Sequence, residues 1–355
     1  MADGVARIGA FGEVMMRLTP PEHLMLEQTN SLRVDFTGTG ANLLAGLAHC
    51  GASTRLLTTL PDNRLGLAAR AHLAALGVGT DSIRLAHTHL GSYFAEVGYG
   101  PRATQVTYQN RLGSAFCASG PDEYDFDSFL DAVDMVHICG ISLSLTDATA
   151  ACALELARRA RARGVLVCFD FNFRPSLNEG EEKVELMRRR YREMLPCCDV
   201  VFGAARDLDR IAGGNGAPAT SVAEEARRVA DAMERYGFSW FAGTRRSHGD
   251  GGSAIAGYLY VRTGAGAPER TMGVDGLELI ETAPKSLDVL DRIGAGDAYA
   301  AGIMLGRAER WDAQETVDFA IAASVLAHTV QGDAPLLTRE QIRLAMDDPD
   351  ADLIR

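Results

Sequence analysis

Short apolar runs alternate with helix-length segments through most of this chain, and that alternation leaves few folds open to it. "RIGAFGEV" reads as a strand, "ANLLAGLAHCG" as a helix that stops at Gly51, and "TRLLTTL" as a strand. "DNRLGLAARAHLAALG" places Leu65, Ala69, Leu73 and Leu76 at helical spacing and ends at Gly77. The rhythm continues with the strand "MVHICG", the helix "TDATAACALELARRARARG" and the strand "VLVCFDFN". The helix "EEKVELMRRRYREML" is acidic at its start and basic later, as the helix dipole prefers. "DVVFG", "SVAEEARRVADAMERYG" and "SWFAGT" add a strand, a helix and a strand. Repeated βα units with short apolar strands imply an α/β fold, a mostly parallel sheet covered by helices on both faces. At 355 residues the chain exceeds the usual single core. One large α/β domain with an insertion, or two domains, are the options.

One region breaks the rhythm. From Arg84 to Phe116 the sequence is rich in Thr, Tyr, Val and Gly, alternates in part, and holds no helix of useful length. It reads as a small antiparallel sheet inserted into the α/β body, either a lid over a site or an edge decoration. His87 and His89 alternate there as a metal pair would, but no third ligand is evident, so a solvated strand face is the plainer reading. In the C-terminal third, "GGSAIAGYLYVR" and "LELIETAP" read as antiparallel strands, and two long helices follow.

The net charge of −12 argues against a nucleic-acid-binding surface, which needs a basic face, although a local pocket for a small anion stays open. The seven cysteines are scattered and form no C-x-x-C pair, so neither a disulfide framework nor a zinc site is suggested. No apolar run reaches the roughly 18–20 residues needed to span a bilayer. The N-terminus reads as a first strand and not as a secretory signal, so a cytoplasmic protein is expected.

The densest chemistry lies in "DRIGAGDAYAAG", Asp291 to Gly302. Gly294 and Gly296 let the backbone approach a ligand closely, and free N–H groups at a helix start suit a phosphate. Asp297 follows, where a P-loop would place a lysine. Helix dipole and N–H donors would keep that carboxylate ionised, and beside a phosphate it makes sense as a base for a hydroxyl. Phosphoryl transfer needs such a proton acceptor together with donors for the charge on the moving group. A glycine-rich turn with an N-capping aspartate is the competing reading. A dinucleotide fingerprint fails on spacing and on its late place in the chain.

At these residues the chain resembles the ribokinase-like, or PfkB, carbohydrate kinases, whose signature D-T-x-G-A-G-D is matched by "DRIGAGD" except for Arg292. "FGEVMMRLTPP", "GANLLAGLAHCG", "TTLPDNRLG", "FDFNFRPSL" and "AASVLAHTVQGD" look like the 2-keto-3-deoxygluconate kinase branch, so the resemblance runs almost end to end. It implies a single ribokinase-like, three-layer domain over 1–355, with lid strands within 12–36 and 84–116. It implies an ATP-dependent kinase for a sugar acid, with Mg²⁺ accompanying ATP and a monovalent-ion requirement left open. Asp297 would be the base, and the backbone of Gly294, Ala295 and Gly296 the anion hole. Arg174, within the Asp170–Asn172–Arg174 segment, would pair with the substrate carboxylate, a job suited to a planar bidentate donor. Tyr93 and Tyr108 would touch the sugar from the lid, or be ordinary cross-strand aromatics. Arg111 would reach the carboxylate too, and Gly38 and Asn42 belong to the N-terminal sugar loop. Thr244 and Asp291 would lie at the nucleotide and Asp207 at the metal. Lid strands of such kinases often pair between subunits, which implies a homodimer.

Two departures bear on function. Thr39 follows Gly38 where the family has adjacent glycines, so a side chain intrudes at the sugar loop. Ala204 stands for the asparagine of the family's N-x-x-E-like motif, with Asp207 alone keeping an acid and Arg206 adding a cation. Besides the sugar-acid kinase, two readings therefore remain. One is a weakly active or inactive relative that binds sugar or nucleotide as a sensor or partner. The other is a kinase for a neutral sugar or nucleoside.

Overall fold

The computed structural model describes residues 5–249, 252–263, 274 and 276–348. In chain order, β1 (Arg7–Phe11) starts the main sheet, and β2 (Met15–Thr19) and β3 (Arg33–Thr37) leave it. Then come α1 (Thr39–His49), β4 (Ser53–Leu60), α2 (Arg64–Ala75) and β5 (Ile83–Leu85). A hairpin of β6 (Ser92–Glu96) and β7 (Gln105–Gln109) follows, with short helices α3 (Ala115–Ala118) and α4 (Phe126–Asp131). The βα repeat resumes with β8 (Met135–Cys139), α5 (Ile141–Leu145), α6 (Asp147–Arg163), β9 (Leu166–Asp170) and α7 (Glu181–Met194). It goes on through β10 (Val200–Phe202), α8 (Ala205–Ala212), α9 (Val222–Tyr236) and β11 (Trp240–Gly249). The antiparallel strands β12 (Gly252–Arg262), β13 (Leu277–Glu281) and β14 (Lys285–Ser286) precede α10 (Ala295–Glu309), α11 (Ala313–Ala327) and α12 (Arg339–Asp347).

The main sheet has the order β13-β12-β11-β10-β9-β8-β1-β4-β5, with β14 paired to β12. From β11 to β5 every neighbouring pair is parallel, and β12 and β13 add an antiparallel edge. Strands such as β8 are buried on both faces, because one helical layer covers each side. Helix ends follow local chemistry. The Asn63 side chain accepts from the Leu65 and Gly66 N–H groups at the start of α2, and Thr146 accepts from Thr149 N–H at the start of α6. All seven cysteines are free, and no helix among the described residues is long and apolar enough to cross a membrane.

A second sheet of order β3-β2-β6-β7 forms the lid. The sequence reading of an inserted sheet at 84–116 holds for β6 and β7, and is corrected in three details. Residues Ile83–Leu85 pair with β4 in the main sheet. The lid is mixed, because β6 runs parallel to β2 while β2–β3 and β6–β7 are antiparallel. His87 and His89 lie in the loop after β5, where His89 faces the Asn110 carbonyl and His87 faces Glu123. Beyond Thr244, strand β11 continues through the basic run to Gly249 and pairs with β12 throughout. The connecting residues 250–251 lie outside the described residues.

Candidate active site

The parallel strands end on one side of the sheet, where ligands of open α/β sheets usually bind. Glu13 follows β1, Asp170 ends β9, Gly203 follows β10, and Thr244 lies where β11 passes the edge of its parallel neighbour. Two clefts open there. One of about 440 Å³ lies under the lid and is lined by Glu13, Gly38, Thr39, Asn42, Tyr93, Tyr108, Arg111 and Asp297 among others. The second, about 350 Å³, is lined by Phe202, Gly203, Ala204, Arg206, Asp207 and Thr244. Both are lined by Asp170, Asn172, Arg174 and Gly296, so they meet at the start of α10.

The motif behaves there as a helix start and not merely as a capped turn. Gly294 is in the left-handed region at φ 89°, and a Cβ would run into the backbone carbonyl of Asp333. The N–H groups of the first helical turn, Ala295 to Asp297, have no i−4 carbonyl within α10 and carry partial positive charge, and Gly296 of that turn lines both clefts. Ala295 is buried and offers only its backbone, while Gly296 is open. The Asp297 Oδ2 accepts a hydrogen bond from Asn42 Nδ2 at 2.8 Å, and Asn42 Oδ1 accepts from Gly38 N–H at 3.3 Å. The expectation that dipole and donors keep Asp297 ionised needs correction. Burial outweighs the Asn42 hydrogen bond, and with Asp170 and Asp333 nearby the carboxyl is pushed up to about 8.

The left-handed residue Asn172, φ 38°, turns the chain after β9, and its N–H is held by Asp170 Oδ1 at 2.9 Å. That turn carries Arg174 to the mouth of both clefts. It is exposed, and among the described residues its guanidinium makes no hydrogen bond or ion pair. Burial pushes the Asp170 carboxyl up to about 6.

Other expected residues are placed differently. Arg111 lines the lid cleft, but it is buried and forked onto Glu13, with Arg111 Nε 2.9 Å from Glu13 Oε1, so it is not a free cation for a carboxylate. Tyr93 and Tyr108 are directly opposed across β6 and β7, with ring centroids 5.9 Å apart. Tyr93 is buried, and its hydroxyl donates to Asp333 Oδ2 at 2.5 Å and meets Thr37 Oγ1 at 2.9 Å. Tyr108 is exposed and carries Arg111 over its ring. Asp291 lines neither cleft. It is buried behind the motif, where it accepts from Ile293 N–H and from Arg17. Gly38 is extended, with the Glu13 carbonyl where a side chain would project, and the Thr39 side chain does reach the lid cleft.

Asp207 lines the second cleft with both carboxylate oxygens engaged. Oδ2 accepts from Ala204 N–H at 2.9 Å, replacing the missing cap of α8, and Oδ1 accepts from Arg210 at 2.7 Å. Burial raises its pKa. The described residues hold no group of three or more His, Cys, Asp or Glu side chains placed for a metal ion. Such a donor set fits a Mg²⁺ carried on nucleotide phosphates, the usual habit of that ion, and does not fit one caged by the protein.

Glu13, Arg17 and Asp333 escape the sequence reading. In "MMRLT" hydrophobic alternation would turn Met16 and Leu18 inward, yet Met15, Arg17 and Thr19 are the buried face. Arg17 is wholly buried between Asp291 and Asp333.

A family model described as pfkB family carbohydrate kinase matches residues 5–339. A 2-dehydro-3-deoxygalactonokinase of Haloferax volcanii is 28% identical over 351 residues, covering 99% of each chain. A solved structure from Enterococcus faecalis, provisionally described as a 2-keto-3-deoxygluconate kinase, is 49% identical with a TM-score of 0.90 over 99% of both chains. The 2-dehydro-3-deoxygluconokinase structure from Thermotoga maritima is 28% identical with a TM-score of 0.84, covering 97% of this chain and 99% of that one.

If Asp297 acts as a base it must be ionised, so a raised pKa costs activity as pH falls below that pKa. The acid limb of kcat/KM, which reports the free enzyme, is expected at about pH 8 and not near the ordinary carboxylate value. Asn42→Ala removes the hydrogen bond that lowers this pKa, so the limb should move to higher pH. A limb that stays in place in the variant would separate Asn42 from the titrating group.

Proposed function

The chain belongs to the pfkB family of carbohydrate kinases, and from that premise we propose that it transfers the γ-phosphate of ATP to a hydroxyl of a keto-sugar acid such as 2-keto-3-deoxygluconate or a close relative. The observation that carries this reading is the meeting of two clefts at Gly296, with Asp297 facing one and the unpaired Arg174 at the mouth of both. Sugar and nucleotide would each take one cleft. The names of the Haloferax and Thermotoga relatives support a sugar acid as acceptor.

In this reading Arg174 forks onto the substrate carboxylate, which orients the sugar under the lid. Arg111 and Glu13 would present a charge-balanced pair to sugar hydroxyls, with Gly38, Asn172, Tyr93 and Tyr108 shaping the wall. Asp297 takes the proton from the attacking hydroxyl. The hydroxyl oxygen bonds to the γ-phosphorus, the bond to the β–γ bridging oxygen breaks, and ADP leaves. The N–H groups of Gly294, Ala295 and Gly296 hold the charge on the transferring group. Thr244 would contact the nucleotide. Mg²⁺, bound on the phosphates, would supply further charge neutralisation, with Asp170 and Asp207 as the nearest carboxylates. We read 1–355 as one domain working in the cytoplasm.

The test is ADP formation from ATP and Mg²⁺ with a panel of 2-keto-3-deoxygluconate, related keto-acids, fructose, ribose and adenosine. Turnover confined to the acids is expected. Arg174→Ala should raise KM for the acids by roughly ten- to a hundredfold, the scale of a charge-assisted pair, and leave any neutral acceptor almost unchanged. Equal effects on both classes would refute the carboxylate role. The engagement of Asp207 and the absence of a side-chain cap at Ala204 favour one other reading, a ligand-binding relative without efficient catalysis. Binding with no turnover on any acceptor would select it.

A homodimer through the lid is part of the same proposal. Strand β7 is an open edge of its sheet and is exposed along its length. Sedimentation at micromolar concentration should give twice the 38.0 kDa chain mass. A monomer at every concentration would remove it.

A further inference from the structure

Arg17 is an arginine in a lid strand with no access to solvent and no contact with either cleft. A cation so placed needs a reason, because removing a guanidinium from water is costly unless its donors are matched. They are matched across the fold. Nη2 donates to Asp291 Oδ2 at 2.7 Å, Nη1 donates to Asp333 Oδ1, and Nε donates to Thr19 Oγ1 at 2.9 Å. Both acidic residues also act at the start of α10, Asp291 through its carboxylate and Asp333 through its backbone. Asp291 Oδ1 accepts from Ile293 N–H at 3.2 Å and so shapes the turn into Gly294. The backbone carbonyl of Asp333 fills the space where a Gly294 side chain would stand, while its Oδ2 accepts from Tyr93 of the neighbouring lid strand. Ile293 packs on the lid cluster of Met15, Tyr93 and Ala95.

We propose that Arg17 is a positioning residue for phosphoryl transfer: it locks the Gly294–Gly296 turn to the lid, so that the N–H groups that receive the γ-phosphate are set by the closed lid sheet. This rests on the reading of that turn as the phosphoryl seat, and is independent of which sugar is the acceptor. The guanidinium touches no substrate. It acts by holding Asp291 on one side of Gly294 and Asp333 on the other, a span that needs two separate N–H directions from one planar group. A lysine has the charge but no rigid fork, so it can satisfy one carboxylate and not fix both.

The experiment compares the Kd of ADP with that of the non-hydrolysable ATP analogue AMP-PNP, both with Mg²⁺, by calorimetry on the full chain. The ratio isolates the γ-phosphate. Arg17→Lys and Arg17→Met should leave ADP binding within a factor of about two while the preference for the analogue disappears. Their kcat should fall about a hundredfold, the scale of a displacement of about 1 Å at a reacting group. Removing the charge outright can prevent folding, so Tyr93→Phe, which removes the hydroxyl held by Asp333 and Thr37 and leaves Arg17 in place, serves as a second probe. It should move the ratio in the same direction by less. Variants that melt at a lower temperature but keep the parent ratio and kcat would overturn the proposal, since that is what a purely structural ion pair gives. Equal affinity for ADP and analogue in the parent protein would remove the phosphoryl seat and the proposal with it, whatever the acceptor panel shows.

Discussion

The turn at Gly294 holds φ at 89° with the Asp333 carbonyl where a side chain would be, and the site is organised around that close approach. No other residue type fits there without moving the loop after α11. Once the turn is set, α10 begins with its first N–H groups lacking a helical partner and with Gly296 lining both clefts. Asp297 then falls in the first turn of the helix, within reach of Asn42 on α1. One backbone conformation thus fixes the first N–H groups of α10 and the carboxylate relative to each other.

The charges around the turn are graded by burial. Arg17 balances Asp291 and Asp333 on the inner side, and Glu13 balances Arg111 at the far end of the lid cleft. Among the described residues Arg174 is left without a hydrogen-bond or ion-pair partner at the mouth, where an incoming carboxylate would find it. Asp297 and Asp170 are both pushed toward the neutral form by burial, and Arg174 opposes that in each case.

How much of this was legible depended on whether a position announces itself by local chemistry. The βα alternation, the glycine stops of α1 and α2, and the two helices that begin at the motif follow from periodicity and turn residues, and the structure has them where the sequence reading put them. The convergence of Asn172, Arg174 and Asp297 was legible only through a resemblance, because the pairing of β8, β9 and β10 that gathers them is nonlocal. Arg17 escaped because strand alternation is scored by hydrophobicity. The apolar Met16 and Leu18 are only half-buried while the charge of Arg17 is wholly buried, a choice dictated by Asp291 and Asp333, more than 270 residues away. Arg111 was assigned a free charge because Glu13, its partner across 98 residues, carries no local sign of the pairing. The raised pKa of Asp297 was also out of reach, since helix position argues for ionisation and only the packed surroundings show that burial wins.

The central claim is that Asp297 removes the proton from the attacking hydroxyl. It is tested most directly by the single-turnover rate of phosphoryl transfer in Asp297→Asn with saturating ATP, Mg²⁺ and the best acceptor of the panel. Asparagine keeps the shape and the contact with Asn42 but cannot accept the proton. The rate should fall by on the order of 10² to 10⁴-fold while the affinity for AMP-PNP is retained. A fall of less than about tenfold, with nucleotide and sugar still bound, would contradict the general-base role.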